Sequence, residues 1–139
     1  MFAQVSVWGV LLAAASAMIV GTLWYSTSMF GKTWMKGIGI TDAEMKKKMN
    51  STMLVLIAAS LATAYVLSLF TVYFHSYVGG SWVMAGFDTA LLAWFGLGLT
   101  AIFAHGAFDP RDIKVLYINA GNRLVTLVIM GLIIGYFLR

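Results

Sequence analysis

VLYINAGNRLVTLVIMGLIIGYFL, Val115 to Leu138, is the stretch that decides the fold: 24 residues with one charge, Arg123. As a helix it would measure about 36 Å, more than the roughly 30 Å hydrocarbon core of a bilayer. Working back from it, three more apolar runs appear, at 5–30, 53–74 and 86–108. Each reaches the roughly 20 residues that a crossing requires. Lipid offers no partners to free backbone groups, so crossing segments of this kind are helices. The sequence therefore predicts an all-α integral membrane protein. It is a single transmembrane domain over 1–139, a four-helix bundle whose longest connection is 31–52.

Composition agrees. The chain is 61% hydrophobic and 10% charged, with mean hydropathy +0.89. Soluble domains run at about 45–50% apolar and about 25% charged. A water-soluble fold of 139 residues would lack the polar side chains to cover its surface. The chain has no cysteine, which excludes disulfides, thiol catalysis and thiolate metal sites. Its net charge is +4. The lysines sit beside apolar runs, so the expected partner is anionic membrane lipid rather than nucleic acid. Ala15-Ser16-Ala17 has the small residues of a signal-peptide cleavage site. However, Met1 to Val7 carries no Lys or Arg and the apolar run continues to Trp24. The segment is read as a retained helix.

Thr41-Asp42-Ala43-Glu44 has the form of a capping box. It predicts a helix that carries Lys46, Lys47 and Lys48 onward into the second span. Asp109 is expected to cap the fourth span, with Pro110 at its first helical position. The first connection holds Lys32, Lys36, Lys46, Lys47 and Lys48; the third holds Arg111 and Lys114. Seven of the nine basic residues thus fall on one side of a four-span protein. By the positive-inside tendency, both basic connections are cytoplasmic and both termini are outside. Trp24, Tyr25, Trp34 and Tyr117 mark the inner interface, and Trp8, Tyr73, Tyr77, Trp82 and Tyr136 the outer one. Trp94 and Tyr65 fit neither belt and are expected to face other helices.

Helices in lipid gain little from apolar contact alone and associate by close approach. Small residues recur at every fourth position at Ala13, Ala17 and Gly21, at Gly96, Thr100 and Ala104, and at Gly131 and Gly135. Packing within the bundle is the first reading of these stripes. A homodimer through Gly131 and Gly135 is the second.

The residues Gly21, Trp24-Tyr25-Ser26, Phe30-Gly31-Lys32 and Trp34-Met35 form a recognisable motif. Phe108-Asp109, Ile118-Asn119-Ala120-Gly121, Leu124-Val125 and Ile129-Met130-Gly131 extend it. Over nearly its whole length the chain resembles the bacterial domain-of-unknown-function 1761 family. The resemblance implies a small four-helix protein of the bacterial plasma membrane and brings no established activity. Asn122-Arg123 departs from the family's expected Tyr-His-like pair, and places a charge inside the fourth span.

Few residues could carry chemistry. An ionisable group inside a span costs roughly 2.5–3.5 kcal/mol on insertion scales, and it tends to face protein or water. Arg123 is the foremost, with Asn119 one turn before it and Asn122 adjacent. It either snorkels to the cytoplasmic headgroups or turns inward to pair with a polar group or bind an anion. His105 with Asp109 at i+4 would share a helical face and could titrate near neutral pH. An interfacial histidine is the plainer reading, and two ligands are too few for a metal. Trp24, Tyr25, Lys32, Trp34, Lys36, Lys46, Lys47 and Lys48 would suit lipid headgroups. No HExxH, phosphate-binding Gly-rich loop or serine-histidine-acid set is present, so neither catalysis nor a cofactor is expected.

Three functions follow. The first is a structural or accessory membrane protein that acts through helix packing, as a homo-oligomer or within a larger complex. The second is a small transporter or channel-like oligomer with a polar site around Arg123. The third is an inner-leaflet anionic lipid binder.

Overall fold

The computed structural model describes residues 5–109 and 112–139. The described residues form helices α1 (Val7–Trp24), α2 (Gly31–Ile38), α3 (Asp42–Val78), α4 (Trp82–Ala93), α5 (Thr100–Gly106) and α6 (Ile113–Leu138). A π-helical segment, Trp94–Leu99, joins α4 to α5 without a break. Four units are long and apolar enough to cross a membrane: α1, α3, α4 through α5, and α6. The protein is thus an all-helical bundle of membrane-spanning type. Its spans form a ring in chain order, with α6 packed chiefly against α4 and α1, and α3 touching both of those. Near their ends Gly9 and Phe137 meet, the Cβ of Phe137 lying 3.0 Å from where a Gly9 Cβ would stand. α1 and α6 are therefore antiparallel, and the two ends of the described chain share one face of the bundle.

The core is alanine against larger side chains. Ala13, Ala64 and Ala90 are wholly buried and surround Leu127, Met130 and Ile134 of α6. A methyl group on three helices lets the fourth come close enough for dense van der Waals contact, the main attraction available in lipid. The tightest approach is between α4 and α6. A Cβ on Gly131 would stand 2.3 Å from the Gly86 carbonyl oxygen, and one on Gly135 would stand 2.4 Å from that of Trp82. Gly131 and Gly135 are therefore consumed inside the monomer, which removes them as a homodimer face. Ala13 and Ala17 also pack inward. Gly21 and Gly96 do not, since a Cβ on either would have nothing within 4 Å. Their place in a fourfold stripe is a coincidence of spacing, and the packing role expected of them is corrected.

Several boundaries move. α1 stops at Trp24 rather than Phe30, because residues 25–30 turn back: Phe30 N–H donates to the Trp24 carbonyl and Gly31 N–H to that of Ser26. A Cβ on Gly31 would lie 2.2 Å from the Tyr25 oxygen, so only glycine fits there. The connection 31–52 contains α2, an unforeseen amphipathic helix. It buries Met35 and leaves Lys32 and Lys36 exposed. Thr41 forms the predicted capping box with Glu44, and α3 runs unbroken for 37 residues through the lysines and the second span. At the opposite face the turn at Gly79 and Gly80 needs positive φ at both (76° and 86°). There His75 stacks on Trp82 at 3.5 Å and donates to the Gly80 carbonyl. The fourth span is capped by Asp112, which accepts from Lys114 N–H, rather than by Asp109. Pro110 and Arg111 lie outside the described residues. Tyr65, expected against another helix, is 39% exposed on α3.

Candidate functional site

The motif aromatics converge on the first turns of α6. Trp24 Nε1–H donates to the Ile118 carbonyl at 3.0 Å. Tyr25 O–H and Trp34 Nε1–H both donate to Asn119 Oδ1, at 2.8 and 3.0 Å. The amide oxygen has two lone pairs, and both are used. From the opposite neighbour, Trp94 Nε1–H donates to the Ala120 carbonyl at 2.9 Å. Trp94 thus faces another helix, as its mid-span position suggested. Gly121 makes room, since a Cβ there would lie 2.9 Å from Trp24 Cζ2. Tyr25 and Trp34 rings pack at 4.9 Å, and Trp24 and Phe30 at 4.6 Å. Burial pushes the Tyr25 phenol, just past the end of α1, up to about 12, because a phenolate there would lose its water.

This clasp ties α1, the 25–30 turn, α2 and the π segment to one stretch of α6. It also corrects an expectation: Trp24, Tyr25 and Trp34 reach into the protein and not outward to headgroups. Lys32, Lys36, Lys46, Lys47 and Lys48 are exposed as a headgroup-contact role requires. Lys46 is paired with Asp42 at 2.7 Å.

Arg123 does not join Asn119. It is exposed and makes no ion pair or hydrogen bond among the described residues. It forms the floor of an open groove of about 510 Å³ between α3 on one side and the π segment with α5 on the other. The inward-pairing reading of Arg123 is therefore corrected: the side chain faces a groove on the bundle's surface. Gly98 permits this, its would-be Cβ lying 3.3 Å from Arg123 Cγ. In a π turn the usual i−4 bonding slips, and Thr100 Oγ1 covers the Gly96 carbonyl at 2.7 Å. A second groove of about 710 Å³ continues towards the other face, sharing Phe70, Ala93 and Leu97 with the first.

Asn122 and Thr126, one turn apart on α6, each bury a polar atom with no hydrogen-bond partner among the described residues. His105 is exposed near the end of α5, and the helix stops at Gly106. Asp109 falls beyond that end, so the expected common helical face does not form. Among the described residues no three metal-ligating side chains converge.

The π segment and α2 had no signal in hydropathy, which stays high through the first and is interrupted by lysines in the second. The Asn119–Gly121 pair did carry a usable signal. An amide two residues from a glycine within a span marks a place where donors from other helices can dock.

A family model described as Protein of unknown function (DUF1761) matches residues 8–135. No curated protein and no solved structure matches the chain.

Proposed function

The chain belongs to the DUF1761 family of proteins of unknown function, and from that premise we propose that it is a non-catalytic accessory protein of the membrane. It acts by packing its helices against itself or against a larger complex. One observation carries this reading: the indole and phenol groups of the motif and the Asn119 amide are engaged in holding helices together. Trp24, Tyr25, Trp34, Trp94 and Asn119 form a clasp, so these groups serve the packing of the bundle. A second observation supports it. α3 has no buried residue before Ala64, and Leu54, Val55, Leu56 and Ile57 of its first half are all exposed, Leu54 at 74%. At about 55 Å, α3 exceeds the roughly 30 Å core, so this stretch is available to a neighbour.

The membrane is the plasma membrane and the lysine-bearing end faces the cytoplasm, with both termini outside. The support is the bias of Lys and Arg towards residues 25–52 and 109–114. Isolation from native membranes in mild detergent tests the function. A species larger than one 15.1 kDa chain is expected, cross-linkable through residues 54–57. A lone monomer under every mild extraction would refute it.

A further inference from the structure

We propose that the groove over Arg123 binds a long-chain carboxylic acid from the bilayer, with its carboxylate on the Arg123 guanidinium and its chain lying between α3 and α4. The inference is independent of the accessory role.

Three observations point to such a ligand. First, Arg123 has no ion pair or hydrogen bond among the described residues, although it stands about 15 Å along α6 from Ile113. At that depth a guanidinium without a partner is costly. Its planar fork matches a carboxylate with two parallel hydrogen bonds. Second, apart from Arg123 and Thr63 the groove is lined by apolar side chains. Val66 and Phe70 of α3 face Leu97 and Gly98 of the π segment, with Leu127 on the floor. Third, the groove does not stop there. The second groove adjoins it, sharing Phe70, Ala93 and Leu97 and reaching Tyr73 and Tyr77. From Ala62 to Tyr77 the α3 wall is about 22 Å long. An acyl chain in one leaflet spans about half of the roughly 30 Å core, so a whole chain fits.

One charge in two adjoining, mostly apolar grooves is the pattern of a single-chain anionic amphiphile. A two-chain phospholipid keeps its phosphate at headgroup level, above Arg123. A fatty acid can sink until its carboxylate meets the arginine. The π turn is what builds the site. It sets Trp94 on the Ala120 carbonyl and brings Gly98 over the arginine stem, where an ordinary side chain would close the slot.

The test uses the full-length protein in nanodiscs of neutral lipid, titrated with radiolabelled palmitate. Saturable binding is expected. Hexadecanol should not compete, because it lacks the charge. Arg123→Gln should weaken binding about tenfold or more, the scale of a lost charge-assisted hydrogen bond, while Arg123→Lys keeps most of it. Ala101→Trp, at an exposed wall position, should block binding with unchanged thermal unfolding, which separates occlusion from misfolding. Unchanged palmitate binding in both Arg123→Gln and Ala101→Trp overturns the proposal. So does phosphatidic acid displacing palmitate at lower concentration than unlabelled palmitate does, or inorganic phosphate displacing it.

Discussion

Asn119 shows how one side chain can fix a membrane fold. Its amide oxygen takes protons from Tyr25 and Trp34, residues that lie far from it in sequence and belong to different structural elements. Asn119→Leu would leave both donors without an acceptor at about 1–3 kcal/mol each. Thermal unfolding in detergent should fall accordingly, and Trp34 emission should shift towards that of an exposed indole. The Tyr25 phenol gives a pH test of the same cluster. Its folded value, about 12, stands above the ordinary value of 10.0. Its contribution to stability is therefore complete below pH 10 and is lost as pH rises from 10 towards 12, because only the unfolded state ionises readily. The wild-type melting temperature should drop over that window more steeply than that of Tyr25→Phe, which has no phenol to titrate. Parallel curves would contradict the burial. The sequence marked these positions as aromatic and polar but could not say where they point. A tryptophan beside a lysine reads as an interfacial anchor whether it turns outward to headgroups or inward to a carbonyl. Only the return of residues 25–30, which the glycine at position 31 permits, decides it.

Among elements, what could be read from the chain was whatever depends on length and capping. The four spans follow from apolar runs near 20 residues, and Thr41–Glu44 announced the start of α3 because a capping box is local chemistry. What escaped notice depends on partners. α2 is too short and too charged to register as a membrane element, and it holds its place by Met35 and by Gly37 against Val115. The π segment preserves hydropathy and so leaves no trace in it. Glycine stripes are the sharpest example, since Gly21 and Gly131 look alike in sequence. Gly131→Ala should destabilise the bundle, as its Cβ would press on the Gly86 backbone at 2.3 Å, which a flexible side chain cannot relieve. Gly21→Ala meets nothing within 4 Å and should stabilise α1 by up to about 1 kcal/mol, the helix preference of Ala over Gly. Paired unfolding curves for the two variants check the contrast, and opposite signs are expected.

At the scale of the molecule the remaining issue is which end faces the cytoplasm. The fold alone is indifferent, because turning the bundle over preserves its internal contacts. The asymmetry lies in charge. Lys32, Lys36, Lys46, Lys47 and Lys48 are exposed at the end where α2 and α3 begin. At the opposite end the described chain carries Arg139, which lies over the Tyr136 ring at 3.6 Å. Moving five ammonium groups across a bilayer is far harder than holding them beside anionic headgroups, where each is worth about 1 kcal/mol. The chain has no cysteine, so single-cysteine variants report position without background. Asn50 and Ser81 are both exposed. They sit near opposite ends of the bundle, since Asn50 is about 42 Å down α3 from Val78. In intact cells Ser81→Cys should react with a membrane-impermeant maleimide, and Asn50→Cys should react only after the membrane is opened. The reverse pattern would invert the orientation while leaving the bundle intact. Equal labelling of both in intact cells would mean that the protein inserts in two directions, and that five lysines are too few to choose between them.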